Sequence, residues 1–214
     1  MDFLQICKRV RQDSGISGDI AAVTGQQGIL AKLVTWVQEA DLEIQRSKTE
    51  WSFMWRRASA NLVVGKNEYL PADLNMQPFA NIETLFVGTR QLNEVPWAQL
   101  EHDLLSNGSV PTGEPCSYAL SPDGMIVFNR APAAAVATNI RYHLLPLRMT
   151  INTSVSPIPE EFHEAIVQKA LQSYARHEQD DQLQRDAIGA FDVLSKEMAS
   201  RFLPKISFKF GALG

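Results

Sequence analysis

Two hydrophobic periods divide the chain. Toward both ends apolar residues recur every three or four positions, as on one face of an α-helix; through the middle they alternate, as on one face of a strand. Residues 2–12 predict a short amphipathic helix, with Asp2 as N-cap and Leu4, Ile6, Cys7 and Val10 on its apolar side. The cluster Ser14-Gly15-Ile16-Ser17-Gly18-Asp19 is turn-forming. Thr24, with Gln27 three residues on, is the candidate cap of a second helix over about 26–49. Ile29, Leu33, Trp36, Val37, Ala40 and Ile44 give that helix one apolar stripe, and Lys32, Gln38, Asp41, Glu43 and Gln45 its polar side. At 1.5 Å per residue such a helix spans about 36 Å. The first helix is too short to cover it, so it needs the C-terminal helices as partners.

After Trp51-Ser52-Phe53-Met54-Trp55 the period shortens to two. Residues 57–64 and 67–70 read as a hairpin around Gly65-Lys66, and 82–87 as a strand ending at Gly88. Pro96 opens a short helix over 96–101. Residues 117–120 and 125–129 form a second hairpin, turned by Asp123-Gly124. Residues 140–149 alternate again, and Pro146 marks them as an edge strand or bulge. Helical spacing returns at Pro159, with Glu160 and Glu161 suited to the positive helix end. Phe162, Ile166, Ala170 and Tyr174 mark one helix, and Leu183, Ala187, Phe191, Leu194, Met198 and Phe202 the next, with a tight turn between them at 177–181. Pro204 ends the run, and Lys205, Ile206, Ser207, Phe208, Lys209 and Phe210 alternate strictly. A lone strand cannot satisfy its own backbone groups, so this tail reads as a docking arm.

The predicted fold class is therefore α+β: an antiparallel helical bundle with an inserted small β-rich domain and an extended C-terminal arm. Its segments are a first bundle half at 1–56, the β-rich insertion at 57–156, a second bundle half at 157–203 and the arm at 204–214.

Composition narrows the function. With 45% hydrophobic and 21% charged residues the chain is an ordinary folded protein. Its net charge of −4 argues against wrapping nucleic acid by charge alone. The first residues lack the basic and apolar regions of a signal peptide, and no apolar run approaches the ~20 residues of a membrane span, so a soluble protein made in a cytoplasm is expected. Cys7 and Cys116 show no metal or redox spacing and read as buried free thiols.

Catalytic constellations are not evident. His102, His143, His163 and His177 fall on four elements with no two at ligand spacing, so solvated histidines are expected and no metal or cofactor. Gly65-Lys66 lacks the rest of a phosphate-binding loop. Glu160/Glu161 and Asp180/Asp181 are adjacent in sequence and diverge on a helix. Trp36 belongs to a buried stripe, while Trp51 and Trp55 stand where the helical period gives way to the alternating one. Beside them, Arg56 and Arg57 are the candidates for a local anion contact or for a salt bridge within or between subunits.

Long helices, little chemistry and an unpaired strand suit an assembly component. The chain resembles the head-to-tail adaptor (connector) proteins of short-tailed bacteriophages. The likeness lies in Phe3-Leu4-Gln5-Ile6-Cys7-Lys8-Arg9-Val10, the Gly15-Ile16-Ser17-Gly18 loop, and the helix from Leu33-Val34-Thr35-Trp36-Val37 to Ile44. Trp51-Ser52-Phe53-Met54-Trp55 and the return through Pro159-Glu160-Glu161-Phe162-His163 continue it, while the stretch 57–150 matches least. The resemblance implies a virion protein at the capsid portal vertex, in a homo-oligomeric ring usually of twelve subunits. Its partners would be the portal protein and tail or nozzle proteins, with genomic DNA passing through the channel without sequence-specific binding. Lys205–Phe210 falls where that family's portal-binding arm lies. Two other readings stand beside it: a tail-completion or stopper protein, and a cell-wall hydrolase using Glu101, Asp103 and Glu114.

Overall fold

The computed structural model describes residues 1–204, and the Lys205–Phe210 arm lies outside them. It is a mixed α+β protein with five α-helices and two four-stranded sheets among the described residues. The chain divides into two units: residues 1–54 with the described residues from Pro146 on, and Trp55–Leu145.

The first unit is helical. α1 (Phe3–Ser14) opens with a reciprocal cap: Gln5 N donates to Asp2 Oδ1 at 2.8 Å and Asp2 N to Gln5 Oε1 at 2.8 Å. Gly15 ends it at φ 69°, the left-handed geometry that glycine adopts without cost. Phe3, Ile6, Cys7 and Val10 are buried, so Phe3 takes the place expected of Leu4. α2 (Gly28–Arg46) starts without a side-chain cap at Gln27, so Thr24 does not cap it. Its buried stripe is broader than the apolar spacing predicts and takes in Asp41 and Gln45, two residues expected on the polar side. α4 (His163–Glu178) and α5 (Asp181–Phe202) form a helical hairpin. Gln179 turns the chain in the left-handed region and Asp180 caps α5, accepting from Gln182 N and Leu183 N. α4 is the central helix, packing on α1, α2 and α5 and burying Ala165, Ile166, Val167, Ala170, Leu171 and Ala175. Trp36 is only half-buried, with its ring edge-on to Tyr174 at 6.1 Å. Trp51 is fully buried, donates from Nε1 to Ile44 O at 3.0 Å and stacks on Phe53.

The second unit is built on sheets. In one sheet the order is β1 (Trp55–Leu62), β8 (Val136–Leu144), β3 (Phe79–Val87) and β4 (Arg90–Gln91), all antiparallel. The other runs β2 (Glu68–Tyr69), β7 (Ile126–Phe128), β6 (Ser117–Leu120) and β5 (Asn93–Glu94), with β5 parallel to β6. The hairpin expected at 117–129 is present, with Tyr118 opposite Phe128 and a turn at Gly124. The hairpin expected around Gly65-Lys66 is absent. β1 pairs with β8 and β2 with β7, so residues 63–67 carry the chain from one sheet to the other. A turn alone cannot tell a hairpin from such a crossing, because both need the same backbone reversal. α3 (Trp97–Ser106) buries Leu100 against Ala119 and Val127 of the second sheet.

The strand expected over 140–149 starts earlier and ends at Leu144. Pro146 has no N–H for the ladder. Beyond it Leu147 and Met149 bond to α2: Leu147 N donates to Gln45 Oε1 at 2.8 Å, and Gln38 Nε2 donates to Met149 O at 2.7 Å. Residues 146–156, placed with the β-rich insertion in the sequence reading, thus lie with the helices.

Candidate functional site

The sequence picks out Arg56 and Arg57 as neighbours, but a strand sends neighbouring side chains to opposite faces. Arg56 faces Tyr142 in the ladder and its Nη1 donates to Trp55 O at 2.7 Å. It shares its side of β1 with Ala58 and Leu62, which are buried. Arg57 is exposed on the other side, directly opposite Arg141 of β8. The two arginines diverge, and the residue that faces Arg57 across the ladder is Arg141.

The outward face is laid out by register. One row runs Arg57–Arg141–Thr84 across β1, β8 and β3; the next runs Trp55–His143–Asn81. A third holds Ser59, Asn139 and Phe86. The alternate positions Ala58, Leu62, Ile140, Tyr142, Leu144, Ile82, Leu85 and Val87 are buried beneath, so the core fixes which residues point outward. A bulge between Ile82 and Thr84 interrupts β3 at Glu83, which is exposed and forms no ion pair among the described residues.

The Arg57 side chain makes no hydrogen bond or ion pair among the described residues, and the Arg141 side chain only lies over the Trp55 ring, 5.8 Å from its centroid. The Trp55 and His143 rings are 6.4 Å apart. Two polar atoms in these rows, Thr84 Oγ1 and His143 Nδ1, are buried without a hydrogen-bond partner among the described residues. Arg57, Phe86, Asn139 and Arg141 line a shallow cleft of about 180 Å³ on this face. Sequence pointed to Arg57 but not to Arg141, Thr84 or His143. The signal available was that Arg141 and His143 alternate with the apolar Ile140, Tyr142 and Leu144, which marks them as outward; their pairing with β1 is a tertiary fact.

A larger open groove, about 700 Å³, runs beside α3 and is lined by His102, Asp103, Asn129 and Arg130 among others. Of the three carboxylates weighed for hydrolysis only Asp103 lines it; Glu101 and Glu114 do not. Among the described residues no three His, Cys, Asp or Glu side chains are grouped to hold a metal ion, and no helix is long and apolar enough to cross a membrane. The histidines are not all solvated: His163 is buried, its Nε2 bonded to Ile158 O at 2.9 Å, and burial first of all holds its pKa below the usual value.

No curated protein matches the chain. The SU10 adaptor protein family does, and its match begins at residue 1 and runs to residue 202, through all five helices and both sheets. A match over that much of the sequence makes this chain a member of the SU10 adaptor protein family, a family of phage adaptors.

Proposed function

We propose that the chain is the subunit of a homo-oligomeric ring that joins the capsid portal to the tail, encloses part of the DNA channel and carries out no catalysis. The observation that carries this reading is the family match over residues 1–202. In it, α1, α2, α4 and α5 act as an antiparallel bundle forming the ring wall, and the β-rich unit meets the next tail component. The tail Lys205–Phe210 adds to the portal as a strand, with Ile206, Phe208 and Phe210 filling pockets and main-chain bonds giving affinity. Its strict alternation supports this role. Burying three such side chains is worth roughly 1.5–3 kcal/mol each before ordering costs, and repetition around a closed ring turns modest single-arm affinity into a lasting joint. The net charge of −4 suits a channel through which DNA slides without being gripped.

The test is sedimentation of the full chain alone, and mixed with the portal of its own phage. The ring reading expects a chain that sediments as a small species alone and as a saturable ring complex with portal. Deleting Lys205–Gly214 should leave the fold and abolish the complex. A truncated chain that still joins the portal overturns the arm, and a full chain that ignores the portal overturns the ring.

A further inference from the structure

The outward face of the β1–β8–β3 sheet holds more positive charge than the described residues neutralise. Arg57 and Arg141 are directly opposed on antiparallel strands, where like charges destabilise pairing. No carboxylate of the described residues pairs with either, although Glu83 stands exposed on the neighbouring strand. Two further polar atoms of the same two rows, Thr84 Oγ1 and His143 Nδ1, are buried with no partner among the described residues. Buried polar atoms without partners are rare in folded proteins and call for an explanation. The Trp55 ring closes one end of the patch, held beneath Arg141, and Phe86 lines the cleft on the other side. The two opposed guanidiniums and Phe86 line one shallow cleft, and the Thr84 hydroxyl, the His143 imidazole and the Trp55 ring stand in the same two rows of the sheet. Each arginine fork can take a carboxylate bidentately, and together the pair offers more donors than one carboxylate consumes.

We propose that this face is a docking site for an acidic, extended segment of a partner protein, with a carboxylate seated between Arg57 and Arg141 and apolar side chains against Trp55 and Phe86. Charge complementarity selects the occupant. Nucleic acid draws its affinity from many phosphate contacts, each displacing counterions, and two guanidiniums on a chain of net charge −4 supply too few. A single carboxylate needs no more than these two. The cleft, about 180 Å³, suits one side-chain head with its backbone lying along the sheet rather than a free multi-ring ligand.

The probe is a fluorescein-labelled peptide of alternating Glu and Leu, with the Gln–Leu peptide, a labelled DNA duplex and inorganic phosphate as comparisons, each titrated into the full-length chain by anisotropy or Trp fluorescence. The acidic peptide should bind and the Gln–Leu peptide should not. Arg57→Gln or Arg141→Gln should each weaken binding by about tenfold, the loss expected for one charge-assisted hydrogen-bonded contact. Both residues are outward, so the variants should melt at or slightly above the parent temperature as the like-charge opposition is relieved. Equal binding of the Glu and Gln peptides, or unchanged binding by both variants, overturns the site. Duplex DNA bound more tightly than the acidic peptide, and lost in both variants, replaces the protein partner with nucleic acid; displacement of the peptide by millimolar phosphate alone reduces the site to a simple anion pocket.

Discussion

The Ser156 hydroxyl donates to Asp41 Oδ1 at 2.5 Å, inside a helical core where Asp41 is fully buried. Gln45, one turn further along α2, donates to Asp41 Oδ2 at 2.8 Å and also clamps Leu147, donating to its O at 3.1 Å and accepting from its N at 2.8 Å. A polar seam of three side chains thus fastens the connecting segment 146–156 to α2.

That seam predicts a pH dependence. Burial pushes the Asp41 carboxyl up to about 7, against the pull of its bonds from Ser156 and Gln45. In the unfolded chain the group ionises near the ordinary carboxylate value. From about pH 4 to pH 7 the folded state therefore holds a proton that the unfolded state has released. Stability contributed at this site falls as pH rises through that window and is level above it, by on the order of 2–4 kcal/mol in all. Asp41→Asn keeps the bonds, its oxygen accepting from Gln45 and its amide donating to the Ser156 oxygen, and removes the titration. The variant should melt higher than the parent at pH 8 and nearly level with it at pH 4.5. Melting curves whose difference does not change with pH would rule the account out.

The α4–α5 hairpin gives a paired prediction. Gln179 holds φ 59°, a conformation that costs an L-residue roughly 1–2 kcal/mol and glycine nothing. Gln179→Gly should raise stability by about 0.5–1 kcal/mol. Asp180→Ala removes the acceptor for Gln182 N and Leu183 N and should lower it by about 0.5–2 kcal/mol. Urea midpoints of the two variants should lie on opposite sides of the parent.

Thiol chemistry should separate the two cysteines. Cys7 is buried and free, its thiol pushed up to about 12 by burial and then by the Asp2 carboxylate. Only the thiolate is nucleophilic, so Cys7 should resist iodoacetamide at pH 8 until the chain unfolds. Cys116 is half-buried, its sulfur accepting from Asn129 Nδ2 at 3.0 Å, and should be labelled first. Peptide mass mapping after timed labelling reads the order.

Much of the fold was legible because local rules agreed with tertiary packing. The Asp2 cap, the turn before Asp180, the Asp123-Gly124 turn and the helical period of α4 each determine their own structure. Asp41 and Gln45 were not legible: side-chain type put them on the wet side of α2, and only the partners at 147 and 156 make their burial tolerable. The site was half legible for a similar reason. Arg57 shows itself by standing out from an alternating strand, whereas its facing Arg141 follows from which distant strand β1 pairs with. Sequence proximity pointed instead to Arg56, which the two-residue period turns away.

The loop wrongly expected to be a hairpin turn is held by Tyr69. Its hydroxyl accepts from Val63 N at 2.8 Å and lies 3.0 Å from Lys66 O and 3.2 Å from Val63 O, while its ring packs edge-on against Phe128 at 5.7 Å. Gly65 N adds a bond to Pro132 O at 3.0 Å. The chain crosses between sheets here without a ladder of its own, so one side chain supplies what strand pairing would supply in a hairpin. Tyr69→Phe keeps the ring packing and strands the Val63 N–H together with a carbonyl. The expected cost is about 1–3 kcal/mol, more than a surface hydrogen bond because the groups are partly buried. Hydrogen exchange should locate the effect: Val63 N–H should lose its protection while Ile140 and Leu85, in the middle of the β1–β8–β3 sheet, keep theirs. If Val63 exchanges as slowly in the variant as in the parent, the tyrosine does not close the loop, and the ring's contact with Phe128 is what holds the crossing.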